Sequence, residues 1–201
     1  MTSLKKSVSI ENYYDRYKHY DTERTNNYHN HLRNMELKII KKYVKGKIVL
    51  DVGCGTGLVM KEILEDSKKV YGIDFSEGML IKAREKNLTV SKADGANIPF
   101  NDDSFDVVYS VRVLPHIPNV TKVLREIKRV VKKDGLLILE FYSPYNLKFL
   151  TNNIRDFFFN RAYTKYHTLN EIKSILPGGL EIVNIASIKS KYKILVLRKK
   201  D

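Results

Sequence analysis

The fold is decided by residues 49–57, which read VLDVGCGTG. The apolar run from Lys47 to Val52 suits a short buried strand, and the glycines that follow let the backbone turn sharply beside a ligand. From Leu58 to Leu64 the apolar residues then have helical spacing. A strand, a glycine turn and a helix in this order predict a parallel sheet with a ligand at the carboxyl end of the strand.

Strands and helices alternate along the rest of the chain, which predicts a mostly parallel α/β sheet with helices on both faces. The last two strands are joined by about five residues, too few for a parallel crossover, so they must pair antiparallel. The further expected strands are Val70–Ile73, Thr89–Lys92, Phe105–Ser110, Leu136–Phe141, Glu181–Ser187 and Lys193–Arg198, and the further helices are Glu36–Val44, Met79–Lys86 (capped by Ser76) and Asn119–Lys133, with Gly135 as a helix stop.

Composition limits the class of protein. The chain has 201 residues, enough for one substantial α/β domain, and its single cysteine, Cys54, excludes an intrachain disulfide. Residues 1–10 lack the apolar stretch of a signal peptide, and no run approaches the roughly 20 apolar residues of a membrane span. We therefore expect a soluble, cytoplasmic protein without a transmembrane segment.

The net charge of +13 has two interpretations. It suits a polyanionic partner such as RNA, or an anionic membrane surface. It is also consistent with a compositional bias, because the lysines are scattered along the chain rather than concentrated in one block. The charge therefore leaves nucleic acid as a possible partner without favouring it.

Two nucleotide-type ligands compete for the glycine loop. A dinucleotide loop reads G-x-G-x-x-G or A, but here Leu58 takes the place of the third small residue and Gly57 comes one position early. Asp51 stands just before the first glycine, where a carboxylate suits a ligand with an ammonium and a sulfonium group. The pattern favours S-adenosylmethionine over NAD, although Asp51 could instead bond the loop's own amides.

Acidic residues also end the next two strands. Asp74 lies about 20 residues after the loop, where a carboxylate can accept hydrogen bonds from both ribose hydroxyls, or alternatively cap the helix that begins near Ser76. Phe75 could pack on the adenine face. Residues 93–96 read ADGA: Asp94 could accept the exocyclic amine, with room for the ring left by Gly95 and Ala96, or the segment could be a polar turn.

Together these motifs resemble the class I S-adenosylmethionine-dependent methyltransferases (methyltransferase type 11), which include the ubiquinone and menaquinone biosynthesis enzymes. Within residues 48–141 the matching pieces read VLDVGCGTG, VYGIDFSEGML, KADGANIPFNDDSFDVVYSVRVLPHI and VLREIKRVVKKDGLLIL. The resemblance implies a Rossmann-like, doubly wound sheet of seven strands with an antiparallel C-terminal strand, S-adenosyl-L-methionine as methyl donor and S-adenosyl-L-homocysteine as product. It also implies a cofactor site lined by Gly53, Gly55, Asp74, Asp94, Gly95 and Ser110, under an N-terminal tyrosine lid at Tyr14.

The acceptor side is less well defined. An oxygen acceptor can require a general base, and His116, after the fourth strand, is placed at the mouth of the crevice. His116 also resembles the family's His-Ile pair, which packs on the cofactor. No Cys or His cluster has metal-ligand spacing, so no metal is expected.

Aromatic residues are concentrated from Phe141 to Tyr166, and three tyrosines are expected on the substrate side: Tyr17, Tyr142 and Tyr145. Such a segment could cover an apolar or aromatic acceptor, stack on RNA bases, or simply pack as a helix on the sheet edge.

We expect one methyltransferase domain over residues 1–201. Its parts would be an N-terminal helical lid (1–35), a cofactor-binding core (36–141), a substrate-side insertion (142–175) and a C-terminal β-hairpin (176–201). The predicted function is methyl transfer to a small-molecule acceptor, apolar or aromatic. The alternatives are an RNA or protein methyltransferase that uses the basic surface, and a non-catalytic cofactor-binding partner subunit. The sequence does not determine the oligomeric state.

Overall fold

A computed structural model of the protein describes residues 20–24, 26–144, 164–189 and 191–201. Strands from the whole described length of the chain join one sheet. They are β1 Ile48–Val52, β2 Lys69–Asp74, β3 Val90–Lys92, β4 Phe105–Ser110, β5 Val131–Tyr142, β6 Leu180–Ile188 and β7 Tyr192–Lys199.

Helices connect these strands. They are α1 Tyr20–Arg24, α2 Asn27–Val44, α3 Leu58–Ile63, α4 Glu77–Arg84, α5 Val120–Val130 and α6 Leu169–Ile175, with a 3-10 turn at Leu114–His116. Within the described ranges, no helix has the length and apolar character needed to cross a membrane.

The sheet order is β3-β2-β1-β4-β5-β7-β6, and β1 to β5 run parallel. The chain leaves β1 toward β2 on one side and returns to β4 on the other, so the crevice between the ends of β1 and β4 is the switch point where α/β sheets bind ligands. β7 lies antiparallel between β5 and β6. The prediction of a seven-stranded, mostly parallel sheet with an antiparallel C-terminal strand is confirmed.

Alternate residues of each central strand face opposite layers of helices. Val49 and Val107 lie in a core covered by α2, α3 and α4, whereas Leu50 and Val108 lie in a second core covered by α5 and α6. Both layers are fully buried at the central strands, which explains the nearly continuous apolar character of β1 and β4. The strand from which the glycine loop leaves is therefore packed on both of its faces.

One helix crosses the expected boundary between lid and core. α2 begins at Asn27, nine residues before the predicted start at Glu36, and its N-cap Asn26 accepts a hydrogen bond from the His29 amide at 3.0 Å. Its buried face continues from Leu32 through Ile40 to Val44. The C-terminal part of the expected lid segment thus packs on the core.

The predicted helix from Asn119 to Lys133 is too long. α5 ends at Val130, and Val131 already pairs with Phe105 of β4. Lys132 lies in β5 and donates to Asp106 Oδ1 at 2.8 Å instead of covering a helix end. The stop assigned to Gly135 was wrong for the same reason: its segment is strand, and Asp134 takes the positive φ of 60°.

Candidate functional site

A cavity of about 440 Å³ opens at the carboxyl ends of β1, β2 and β4, which is the size of a small-molecule pocket. The residues predicted from the sequence that line it are Asp51, Gly53, Gly55, Asp74, Phe75, Asp94, Gly95, Ala96 and His116. The fold thus brings together residues from three strand ends and the turn after β4.

The glycine loop is fixed to the neighbouring strand by its own amides. The Gly53 and Cys54 amides both donate to the Ile73 carbonyl, at 2.8 and 3.0 Å. Gly53 has a φ of +83°, and a β-carbon there would collide with the side chain of Val113. Glycine is therefore required at this position for both backbone conformation and space.

Asp74 joins the loop to the helix after β2. Its Oδ2 accepts from the Gly55 amide at 2.8 Å and its Oδ1 from the Ser76 amide at 2.9 Å. The helix cap itself is Ser76, whose hydroxyl accepts from the Met79 amide. Asp74 also lines the cavity, so this carboxylate connects the glycine loop, the helix start and the cavity wall.

Asp51 is a buried carboxyl on the cavity wall. Only 3 % of the residue is exposed, and its Oδ2 accepts from the Tyr109 hydroxyl at 2.8 Å. Burial raises the pKa of Asp51 to about 8, an effect that the Tyr109 hydrogen bond opposes and the nearby Asp74 charge reinforces. A cation in the cavity would favour the ionised carboxylate.

Small and flat groups line the cavity beyond Asp74. Asp94 Oδ1 accepts from the Ala96 amide at 2.9 Å, which forms a tight turn with Gly95 between them. Phe75 also lines the cavity, and the Lys92 ammonium lies 5.8 Å from its ring centroid. This turn and ring could flank a planar ligand group.

The cavity wall also includes Arg112, whose side chain is 14 % exposed. The Arg112 guanidinium lies 3.2 Å from Glu36 Oε2, and the Arg112 amide donates to Glu140 Oε2 at 2.8 Å. Both glutamates are fully buried. Burial raises the pKa of Glu140 to about 8 and also raises the pKa of Glu36, while the Arg112 charge lowers both. One cation thus compensates two buried carboxyls on this wall.

His116 lies at the same end of the cavity. Its Nδ1 is 3.1 Å from the Thr164 hydroxyl, and its ring meets Tyr142 edge-on with centroids 5.8 Å apart. These two contacts orient the imidazole.

Some of the predicted site residues lie elsewhere. Ser110 does not line the cavity: it is fully buried, and its hydroxyl donates to the Val52 carbonyl at 2.8 Å. Tyr142 does not line it either, because its ring packs against His116 and against Tyr192, at 5.1 Å between centroids. The predicted residues outside the described part of the chain are Tyr14, Tyr17 and Tyr145.

Sequence reasoning missed several residues that line the cavity, namely Tyr20, Thr56, Arg112, Val113 and Lys122. Arg112 has a φ of +60°, which no local motif indicated. For Tyr20 a signal was available, because it follows Tyr17 at helical spacing in the sequence.

Most of the chain is similar in sequence to known proteins. Residues 50–139 match the model of a family described as "Methyltransferase domain". A demethylmenaquinone methyltransferase of Geobacillus sp. (strain WCH70) is 32% identical over 195 residues, covering 84% of this chain and 82% of that protein. An uncharacterized protein of Methanocaldococcus jannaschii is 36% identical over 153 residues, covering 75% of this chain and 58% of that protein.

Solved structures share the fold. The magnesium protoporphyrin IX methyltransferase of Synechocystis PCC 6803, solved with bound SAH, superposes with a TM-score of 0.69 at 22% identity. The match covers 86% of this chain and 84% of that chain. At this identity the likeness concerns the fold alone.

Proposed function

We propose that this chain, which belongs to the class I S-adenosylmethionine-dependent methyltransferases, acts on a small-molecule acceptor that is apolar or aromatic. The methyl group would come from S-adenosyl-L-methionine. The observation that carries the proposal is the convergence of Asp51, Asp74 and Asp94 on one cavity of about 440 Å³. These carboxyls come from three successive strand ends beside the glycine loop.

The residues present fit this cofactor. Asp51 would hold the cationic methionine end, because a buried carboxyl beside a loop that needs glycine offers both charge and close approach. Asp74 would accept the ribose hydroxyls, and Asp94 with Phe75 would hold adenine. When bound, the cofactor supplies a methyl group on a good leaving group, so much of the acceleration can come from positioning the acceptor.

The residues of the chain itself would bind the acceptor and accept its proton. Val113, Ile117 and Pro118 give the acceptor end of the cavity an apolar surface, and Tyr20 adds an aromatic one. His116 is the candidate base, with a ring oriented by Thr164 and Tyr142. The Geobacillus relative is named for a demethylmenaquinone, and that name supports an apolar or aromatic acceptor.

An RNA substrate is the second candidate. Lys122 lines the cavity mouth and is exposed, and the exposed Lys92 lies beside the Phe75 ring. Bases could stack on such an aromatic group while lysines contact the phosphates. A labelled-methyl transfer assay across extracted small molecules, tRNA and protein separates the two candidates, and we expect label in the small-molecule fraction.

Calorimetry with S-adenosylmethionine tests the cofactor assignment directly. Asp74→Ala removes the ribose acceptor and the bond to Gly55, so we expect at least about a hundredfold loss of affinity. The matched control is Asp66→Ala, which changes an exposed aspartate that pairs with Lys41 at 3.0 Å, and it should bind like the wild type. Absent binding by the wild type, or equal binding by Asp74→Ala, would refute the assignment.

A further inference from the structure

Helix α1 is attached to the glycine loop by three side chains, Asp21, Thr56 and Lys86, which we call the Asp21 latch. The Thr56 hydroxyl donates to Asp21 Oδ1 at 2.5 Å, and Lys86 Nζ donates to Asp21 Oδ2 at 2.8 Å. Lys86 Nζ also donates to the Thr56 carbonyl at 3.0 Å. Both oxygens of one carboxylate are therefore used to join α1 to the loop.

The latch differs from an ordinary surface ion pair. Thr56 is 2 % exposed, and the side chains of Lys86 and Asp21 are 21 % and 31 % exposed. Burial alone would raise the pKa of Asp21, but the hydrogen bonds from Lys86 and Thr56 hold it below its usual value. A charged carboxylate that keeps two donors in a partly buried site makes stronger bonds than an exposed one.

The latch connects two walls of the cavity. Tyr20, next to Asp21 in α1, lines the cavity, and Thr56 lines it from the glycine loop. The Arg24 guanidinium lies 5.1 Å from the Tyr20 ring centroid, on the same short helix. Thr56 and Asp21 thus link the glycine loop to the short helix that carries Tyr20.

We propose that Asp21 is a positioning residue that holds Tyr20 as a wall of the cavity and couples it to the glycine loop. Asp21 does not line the cavity, so it acts on a bound ligand through Tyr20. The inference rests on the proposed function, because its binding readout is S-adenosylmethionine. A short helix with five residues has little stability of its own, so its position depends on such contacts.

A double-mutant cycle measured by calorimetry tests the route through Tyr20. Asp21→Ala should weaken S-adenosylmethionine binding about tenfold in the wild-type background and less than about twofold in the Tyr20→Ala background. Thr56→Val, which removes the hydroxyl that binds Asp21, should weaken binding by a similar factor. Thr56→Ser, which keeps the hydroxyl, should bind S-adenosylmethionine like the wild type. Asp66→Ala, at an exposed ion pair, should bind like the wild type.

Hydrogen exchange of the free protein gives a readout that needs no ligand. In Asp21→Ala and in Thr56→Val, the amides of residues 20–24 should exchange at least about tenfold faster than in the wild type, while those of α5 stay unchanged. Unchanged exchange at residues 20–24, or an equal affinity loss in both Tyr20 backgrounds, overturns the proposal. If the wild type itself does not bind S-adenosylmethionine, the cofactor assignment fails, and the exchange rates still decide the latch.

Discussion

The cofactor side of the cavity is held by contacts between nearby residues or adjacent strand ends, and the acceptor side by contacts between residues far apart in the sequence. On the cofactor side, Asp74 binds the amides of Gly55 and Ser76, and Asp94 binds an amide two residues away. On the acceptor side, Arg112 meets Glu36 from α2 and Glu140 from β5. The first set of contacts is local or joins adjacent strand ends, whereas the second forms only when the whole domain is folded.

This difference has an energetic consequence. A carboxylate that accepts backbone N–H bonds keeps its charge stabilised even if one side chain nearby is lost. On the acceptor side, the fully buried Glu36 lies beside the Arg112 guanidinium, so removal of either side chain leaves the other charged group without compensation. We therefore expect the acceptor side to be sensitive in stability and the cofactor side to be sensitive in ligand affinity.

The largest expected stability effect is that of Glu36→Ala. The substitution leaves the Arg112 guanidinium buried without the carboxylate that lies 3.2 Å away. We expect the free energy of unfolding to fall by about 3 kcal/mol, measured by urea denaturation near neutral pH. Glu36→Gln, which keeps the size of the side chain, should show most of the same loss because the charge is what is removed.

The matched control is again Asp66→Ala. Lys41 and Asp66 are 44 % and 41 % exposed, so the loss should stay within about 0.5 kcal/mol. A similar loss in the buried and the exposed variant would show that Arg112 does not depend on Glu36. The distinction between the two sides of the cavity would then lose its energetic basis.

Asp51 provides the second test, through pH. Burial raises its folded-state pKa from 3.8 to about 8. Between these values the folded protein keeps the proton while the unfolded chain has released it, so the free energy of unfolding falls as pH rises and levels off above about pH 8. Asp51→Asn removes this slope, and we expect the variant to be more stable than the wild type at about pH 8.

Urea denaturation at about pH 5 and about pH 8 measures the slope in both proteins. Glu140→Gln should remove a similar part of it, because burial also raises the pKa of Glu140 to about 8. Asp51→Asn should in addition lose most of its affinity for S-adenosylmethionine, since the cationic end would have no carboxylate. Parallel stability curves for Asp51→Asn and the wild type would contradict a buried, protonated Asp51.

The difference between local contacts and contacts across the fold also explains which elements the sequence predicted correctly. β4 was predicted with its observed bounds, Phe105–Ser110, and Ser76 was recognised as a helix cap, because alternation and capping are local properties. The end of α5 was missed since Val130 and Val131 are apolar in both the helical and the strand pattern. Only pairing with β4 decides between the two.

The residues missed on the acceptor side lack a local signal. Glu36 lies in a helix among lysines and reads as a solvent-facing residue, although the fold buries it completely. Arg112 stands alone among the lysines and arginines between Lys92 and Lys122, but no local motif pairs it with Glu36 of α2 or Glu140 of β5. In contrast, α6 was not predicted although its start has a local signal, because Thr168 and Glu171 form a capping box of the type S/T-x-x-E.

Substitution of Ser110 has the smallest expected effect. It tests whether the Ser110 hydroxyl contacts the cofactor, as the resemblance implies, or only the protein interior, as the structure shows. The resemblance implied a cofactor contact, whereas the structure buries the hydroxyl against the Val52 carbonyl at 2.8 Å, behind the cavity wall. Ser110→Ala leaves that buried carbonyl short of one donor, so we expect a loss of about 1 kcal/mol in stability. The affinity for S-adenosylmethionine should stay within about twofold of the wild type, against the large loss expected for Asp74→Ala. A strong loss of affinity at unchanged stability would instead place the Ser110 hydroxyl on the cofactor.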